Sequence, residues 1–112
     1  MIETRWAQDV SDGITSRVRQ IRLAKGIPQG LFAQQCTASG LPMSKSAMTM
    51  AESGDRISVT VQELLVFAHV LQVSPVELLL PQEGVVEVLP GIEAEAAQAR
   101  QWVTGALRFE EA

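Results

Sequence analysis

The chain has 112 residues, of which 46% are hydrophobic and 20% charged, and its formal net charge is −4. A chain of this size can bury one hydrophobic core, so we expect one compact domain with an appendage. The longest apolar stretches, Leu64–Leu71 and Val76–Leu80, are much shorter than the roughly 20 residues that a membrane span needs. The N-terminal sequence also lacks the basic start and apolar centre of a signal peptide. We therefore expect a cytoplasmic protein that does not cross a membrane.

The sequence offers little for catalysis or for metal binding. Cys36 is the single cysteine and His69 the single histidine, so an internal disulfide is excluded and a metal-ligand set is missing. The sequence also shows no nucleophile–base–acid set and no glycine-rich phosphate loop. We expect no enzymatic activity and no cofactor. Cys36 is interpreted as a buried thiol rather than a reactive one, and His69 as a residue of the core or its boundary.

The charge is unevenly distributed along the chain. Residues 1–81 contain seven basic and seven acidic residues, whereas residues 82–112 contain two basic and six acidic ones. A net negative charge does not favour electrostatic capture of phosphate, but here all of it belongs to the C-terminal part. The sequence therefore predicts a neutral domain over 1–81, followed by an acidic linker and extension over 82–112.

The first helix is predicted over residues 12–25. Apolar side chains recur there at helical spacing, at Ile14, Val18 and Ile21. Ser11 and Asp12 are candidate N-caps, and Gly26 is suited to end the helix. The other faces are basic, with Arg17, Arg19, Arg22 and Lys25. This surface is either an ordinary solvated face or one that contacts a phosphate backbone.

Two further helices are predicted over 28–38 and 45–53. Pro28 suits a first helical turn, and Gly40 ends the second helix. Ser44 is a good N-cap for the third helix, and Gly54 is its expected stop. The inward stripe of the third helix is formed by Ala47, Met48 and Ala51.

The fourth and fifth helices are predicted over 61–72 and 75–80 from their starting signals. Thr60-Val61-Gln62-Glu63 has the pattern of a capping box, and the apolar LLVFAHVL follows it. Ser74-Pro75-Val76-Glu77 repeats this pattern with proline at the first helical position. We expect the fourth helix to be the buried centre of the domain.

The C-terminal extension has a different pattern. Val85–Leu89 has strand-forming composition and Pro90-Gly91 breaks it. Residues 92–107 are predicted as one amphipathic helix, with apolar residues at Ile92, Ala96, Ala99, Trp102 or Val103, and Ala106. This helix needs a partner surface, either on its own domain or on a second subunit.

Between Arg17 and Pro81 the sequence resembles the Cro and lambda-repressor-like (XRE-type) helix-turn-helix family of transcriptional regulators. The pattern is carried by RVRQIRLAKGIPQGLFA for the first two helices, SKSAMTMAESGDR for the third, and VQELLVFAHVLQVSPVELLLP for the last two. The resemblance implies an all-α fold, in which a five-helix DNA-binding domain precedes a short C-terminal extension. It also implies double-stranded DNA as the partner.

The resemblance assigns roles to three residues outside the third helix. Arg22 and Glu52 are expected to form a partly buried ion pair between the first and third helices, with a structural role. Gln29, at the start of the second helix, is expected to contact a DNA phosphate, because free N–H groups at a helix N-terminus favour anions.

In the family the third helix enters the major groove, so its exposed face is the expected reading head. The expected base contacts are Lys45, Ser46, Thr49 and Met50. Candidate phosphate contacts, besides Gln29, are Ser44, Arg17, Arg19 and Arg56. Phosphate contacts of this kind fix register without reading sequence.

A single small reading head binds DNA weakly, so we expect a homodimer. Trp102, Val103 and Leu107 are the candidate dimerisation residues, and Val85–Leu89 could pair with its mate across a two-fold axis. No small-molecule ligand is evident. The prediction is a DNA-binding regulator, with a repressor favoured. The alternatives are a protein-interaction module of the same fold that has lost DNA binding, and a phage-type repressor or antitoxin.

Overall fold

The computed structural model describes residues 5–53 and 58–109. These residues form six helices and one two-stranded antiparallel sheet. In chain order the elements are α1 (Trp6–Ala24), α2 (Gln29–Ala38), α3 (Lys45–Glu52), α4 (Val61–Leu71), α5 (Pro75–Leu79), β1 (Val85–Leu89), β2 (Ile92–Glu95) and α6 (Ala96–Val103). Within these described ranges, every helix is too short or too polar to cross a membrane.

Helix α1 is longer than the sequence predicted, because it begins at Trp6 rather than near residue 12. The candidate cap Ser11 lies inside the helix and is buried, and its hydroxyl accepts a hydrogen bond from the backbone N–H of Val59 at 3.2 Å. Its polar group is therefore satisfied by a segment distant in sequence. The predicted stop is confirmed: Lys25 is the C-cap, and Gly26 has a φ of +69°.

Helix α2 begins one residue later than predicted, because Pro28 is the N-cap and not the first helical residue. Its ψ of 149° is extended, and the helix starts at Gln29. Helix α3 follows the prediction closely, since the hydroxyl of Ser44 accepts the N–H of Ala47 at 3.0 Å as an N-cap. Gly54, the expected stop of α3, lies outside the described residues.

Both predicted capping boxes are present. The Thr60 hydroxyl accepts the N–H of Glu63 at 3.1 Å while the Glu63 carboxylate accepts the N–H of Thr60 at 2.9 Å. Ser74 and Glu77 make the same pair of bonds before α5, each at 3.4 Å. These reciprocal bonds satisfy N–H groups that have no partner inside the helix.

The main core lies between the first five helices. Phe32 and Phe67 pack at its centre with ring centroids 5.8 Å apart, among other buried residues of α1 to α5: Ile14, Val18, Ala33, Cys36, Met48, Ala68, Leu71 and Leu78. The expectation that His69 belongs to this core or its boundary is wrong, because His69 is exposed. Although α4 is apolar almost all round, Val61 and Leu65 are exposed as well.

The C-terminal segment forms a β-hairpin followed by a short helix, not a strand followed by one long helix. β1 pairs with β2 of the same chain, with Val86 opposite Ala94, and α6 begins only at Ala96. The prediction of helix at Ile92–Glu95 is therefore wrong. Residues Leu80, Val88, Ala94 and Ala99 form a second buried cluster, which Trp102 and Phe109 cover.

Candidate nucleic-acid interface

Helix α3 presents a mixed polar and apolar face to solvent. Met48 and Ala51 are buried and Ala47 is half-buried, so the inward stripe agrees with the prediction. The opposite face carries the residues expected to contact bases, Lys45, Ser46, Thr49 and Met50, all of which are exposed. Met50 is the most apolar of them, and 53% of its surface is accessible.

The loop between α2 and α3 sets the position of the α3 N-terminus. The Thr37 hydroxyl accepts the N–H of Met43 at 3.0 Å, and the N–H of Leu41 donates to the carbonyl of Cys36 at 3.0 Å. These bonds fold the chain back after α2 and place Ser44 at the start of α3. Met48 packs α3 against the core, because its side chain is fully buried there.

Arg22 of α1 and Glu52 of α3 form a bidentate ion pair. Nε of Arg22 donates to Oε2 of Glu52 at 2.8 Å and Nη2 donates to Oε1 at 2.7 Å, while Nη1 donates to the carbonyl of Ile27. The two side chains are only 7% and 3% exposed. The hydrogen bond to Glu52 raises the pKa of Arg22, against the lowering by burial. This pair ties the end of α3 to α1.

Gln29 connects this ion pair to the exposed face of α3. Its Nε2 donates to Oε1 of Glu52 at 3.0 Å, and its Oε1 accepts the hydroxyl of Thr49 at 2.9 Å. The Thr49 hydroxyl also lies 3.0 Å from the carbonyl of Lys45. Gln29 and Thr49 were predicted as separate DNA contacts, and the structure brings them together. The sequence held no signal for this contact beyond the presence of both residues.

Arg17 does not lie with the other candidate phosphate contacts. Its Nε donates to the carbonyl of Leu78 at 2.6 Å and its Nη2 to that of Leu79 at 2.9 Å, at the C-terminal end of α5. Burial lowers the pKa of this guanidinium. In this structure the guanidinium joins α1 to α5, and its charge faces the negative end of α5. The phosphate contact of Arg17 stays a prediction.

Two other residues of the basic surface of α1 are also engaged within the fold. Nζ of Lys25 donates to the carbonyl of Leu71 at 2.6 Å, where α4 ends, and Arg22 is held by Glu52. Arg19 is exposed, and the structure shows no hydrogen bond or ion pair for it with the residues that are described. Arg56, the remaining candidate phosphate contact, lies outside the described residues. Among the described residues, fewer basic side chains are thus left to contact phosphate than the sequence suggests.

The candidate dimerisation residues differ in accessibility. Trp102 and Leu107 are half-buried, and the Trp102 ring packs on Phe109 at a centroid distance of 5.2 Å. Val103 is 37% exposed. The segment folds back on the helical part of its own chain, because Nε1 of Trp6 donates to the carbonyl of Glu87 at 3.0 Å. Of the two arrangements left open for α6, packing on its own chain is present in this structure.

A cavity of about 400 Å³ lies where the hairpin and α6 meet α1 and α5. Trp6 and Trp102 line it together with aliphatic side chains and Arg17. Within the described ranges, no group of three or more His, Cys, Asp or Glu side chains is placed to hold a metal ion. Cys36 is buried, as expected, and burial raises the pKa of its thiol to about 11.

Two solved structures are similar to this chain. One is the restriction-modification controller protein C.AhdI from Aeromonas hydrophila, with a TM-score of 0.52 and 28% sequence identity, over 62% of this chain and 96% of the other. The second is the hypothetical transcription factor NHTF from Neisseria, with a TM-score of 0.57 and 23% identity, over 73% of this chain and 87% of the other. These likenesses confirm the resemblance to the XRE-type helix-turn-helix family. No protein-family model and no curated protein matches the sequence.

Proposed function

We propose that this protein is a DNA-binding transcriptional regulator that inserts α3 into the major groove of double-stranded DNA. The observation that carries the proposal is the exposed face of α3. The helix is fixed to the rest of the fold through Glu52, which bonds Arg22 and Gln29. A recognition helix must be both accessible and rigidly oriented, and this arrangement provides both. The names of the two structural neighbours, a controller protein and a transcription factor, support the same class of function.

The four exposed side chains of α3 have different roles in this proposal. Lys45 offers a positive charge to guanine or to a phosphate, and Ser46 and Thr49 offer hydroxyl groups to base edges. Met50 offers an apolar surface to a thymine methyl group. Ser44 already caps α3, and the free N–H groups of that helix start face a phosphate in the proposed complex.

A homodimer would offset the weak charge of a single reading head. Lys45 is the one basic residue of α3, and the formal net charge of the chain is −4, so one subunit gains little from phosphate neutralisation. Two subunits related by two-fold symmetry would double the contacts. We propose that residues 1–81 contact DNA in the cytoplasm, and that the segment 82–112 forms the subunit interface through Val103 and its neighbours. A repressor would act by occupying its site in this dimeric form.

Gel mobility shift and fluorescence anisotropy with genomic DNA fragments test the proposal directly. The double variant Lys45→Ala/Thr49→Ala should bind a specific fragment at least about tenfold more weakly, because it removes one charge and one base-directed hydroxyl. Its helical circular dichroism spectrum should be unchanged, since both side chains are exposed. Gln62→Ala, at an exposed residue of α4 outside both the α3 face and the segment 82–112, is the control and should leave affinity unchanged. If wild-type protein forms no salt-sensitive complex at micromolar concentration, the proposal is wrong.

A second candidate function is supported by the charges of α1. Arg17 and Lys25, which could have neutralised phosphates, are bound to carbonyls at the ends of α5 and α4. A protein-interaction module of the same fold needs no phosphate contacts, and an acidic chain suits that role. A stable protein partner that co-purifies with the chain, together with no DNA complex, would favour this candidate. A phage-type repressor or an antitoxin would bind DNA with the same reading head.

A further inference from the structure

The ion pair at the end of α3 fixes the direction of a series of hydrogen bonds. The guanidinium of Arg22 can only donate hydrogen bonds. Two of its N–H groups donate to the carboxylate of Glu52, at 2.8 and 2.7 Å, so Glu52 is an acceptor. Because a carboxylate has no hydrogen to give, any further partner of Glu52 must be a donor. This requirement passes outward to the next residue in the series, Gln29.

Gln29 has only one orientation that satisfies its two neighbours. Its amide nitrogen must face Oε1 of Glu52, which lies 3.0 Å away and only accepts. The amide oxygen then faces the hydroxyl of Thr49 at 2.9 Å. Rotating the amide by half a turn would place its oxygen against Oε1 of Glu52, and two acceptor oxygens facing each other are unfavourable. Gln29 therefore presents an acceptor, and not a donor, to Thr49.

The hydroxyl hydrogen of Thr49 is directed to an acceptor of the protein itself as a consequence. Its inner neighbours are Oε1 of Gln29 at 2.9 Å and the carbonyl of Lys45 at 3.0 Å, and both are acceptors. A hydroxyl has one hydrogen and two lone pairs, so its single hydrogen is held by one of these oxygens. What remains for an outside partner on this exposed side chain is the lone pairs. Thr49 is thus presented to its surroundings as an acceptor.

We propose that Thr49 selects a base that offers an amino group in the major groove, namely adenine through N6 or cytosine through N4. Guanine and thymine present only acceptor oxygens and nitrogens at these places, so the acceptor Thr49 disfavours them. Gln29 acts through Thr49 as a positioning residue, in addition to any contact with phosphate. This inference rests on the proposed function, because it describes how the same helix would read a base.

The first test is a selection of bound sequences from a randomised DNA library, using wild-type protein and two variants of Thr49. Wild type should select adenine or cytosine at one position in each half-site. Thr49→Val, which keeps the shape but removes the hydroxyl, should lower the preference at that position by about fivefold, the value of one neutral hydrogen bond. Thr49→Ser should retain the preference. The inference is wrong if Thr49→Val selects the same base as strongly as wild type. It is also wrong if wild type selects guanine or thymine at a position where Thr49→Val shows no preference.

The second test separates positioning from phosphate binding by Gln29. Gln29→Met should lower the preference at the Thr49 position by about two- to threefold, since the hydroxyl then has one inner acceptor in place of two. In the Thr49→Val background the same change should leave that position unaffected, as a double-mutant cycle requires for a residue that acts through another. A loss that is uniform over all sequences, with the preference unchanged, would identify Gln29 as a phosphate contact alone.

The two levels of the proposal fail in different ways. If wild type selects no sequence at all, the proposed function is wrong, and this inference is wrong with it. If wild type selects a sequence but the Thr49 variants select it equally well, the regulator stands and the role of Thr49 is overturned. Circular dichroism and urea unfolding of each variant show that a lost preference does not result from unfolding.

Discussion

Gly13 leaves the space through which Arg17 crosses the surface of α1. A β-carbon at residue 13 would lie 2.9 Å from Nη2 of Arg17. From this position the guanidinium reaches the carbonyls of Leu78 and Leu79, which end α5. A glycine inside a helix costs roughly 0.5–1 kcal/mol relative to alanine. A β-carbon at residue 13 would therefore require the Arg17 guanidinium to move from its present place between α1 and α5.

Removing the guanidinium of Arg17 should lower the free energy of unfolding and should leave the affinity of the folded protein for DNA nearly unchanged. Arg17→Met keeps most of the apolar stem but loses two charge-assisted hydrogen bonds, so we expect the free energy of unfolding to fall by about 3 kcal/mol or more. Urea unfolding followed by circular dichroism measures this change. Arg19→Met, at an exposed residue of the same helix, is the control and should change stability by no more than about 0.5 kcal/mol. Weaker DNA binding by Arg17→Met at unchanged stability would restore Arg17 as a phosphate contact.

Alanine at residue 13 should have opposite effects in two backgrounds. In wild type, Gly13→Ala should gain about 0.5–1 kcal/mol of helix propensity, but it displaces Nη2 of Arg17 from Leu79, which costs about 1.5–3 kcal/mol. We expect a net loss of roughly 1 kcal/mol. In an Arg17→Ala background the space is empty, so the same change should stabilise the protein. Urea unfolding of the four proteins gives both signs, and the same sign in both backgrounds would contradict the packing described here.

Removing one partner of the buried ion pair should be strongly destabilising. Glu52→Ala leaves the charge of Arg22, whose side chain is 7% exposed, without its carboxylate. Breaking a buried pair in this way costs about 3–5 kcal/mol. The matched double variant Arg22→Met/Glu52→Leu removes both charges and should regain most of that loss. Thermal and urea unfolding report the difference, and a Glu52→Ala protein as stable as wild type would show that the pair contributes little.

The capping residues made the helix starts predictable from sequence. Ser44, Thr60 and Ser74 are each followed by an apolar pattern, and each accepts an N–H bond at the start of its helix. The signal is local, because the cap and its partner are three residues apart. Ser11 shows the limit of this reasoning. It has the chemistry of a cap, but its hydroxyl is bound to Val59, and nothing in the local sequence indicates that contact.

The β-hairpin was missed because one short pattern fits two periodicities. Ile92–Glu95 alternates apolar and acidic residues, as a strand does, but Ile92 also continues the helical spacing of Ala96 and Ala99. The pairing of β2 with β1 decides between them, and that contact is not local. The burial of His69 was mispredicted for a related reason: the composition of α4 is apolar on every face, and composition does not show which face lacks a neighbour.

The exposed face of α3 was predicted correctly, but the hydrogen bonds of its side chains were not. The exposure of Lys45 and Thr49 follows from the inward stripe of α3, which helical periodicity defines. The contact of Thr49 with Gln29 depends on how α2 crosses α3, and the sequence does not give that angle. The same is true of Lys25, whose bond to Leu71 joins helices that are distant along the chain.

Cys36 should be unreactive toward thiol reagents in the folded protein. Burial raises the pKa of its thiol from 9.0 to about 11, so the nucleophilic thiolate is rare near neutral pH. The same shift makes stability depend on pH. As the pH rises, the thiol of Cys36 ionises in the unfolded state before it ionises in the folded state. The contribution of the neutral thiol to the free energy of unfolding is therefore complete below pH 9 and is lost as the pH rises from 9 to 11. Reaction with Ellman's reagent should be slow at pH 8 without urea and fast in urea. Rapid labelling of the native protein would show that the core around Cys36 opens locally.

The exposed side chain of Val103 provides a test of the proposed homodimer. Trp102 packs within its own chain, so Val103 is the predicted interface residue that remains most accessible on α6. Val103→Glu places a charge at the centre of the proposed apolar contact, where an unpaired charge is strongly unfavourable. Light scattering after size exclusion should give about twice the chain mass of 12.1 kDa for wild type and the single-chain mass for the variant. Gln101→Glu adds the same charge to an exposed residue of the same helix and should remain dimeric. A Val103→Glu protein that stays dimeric would move the interface to another surface, and a monomeric wild type at all concentrations would contradict the dimer itself.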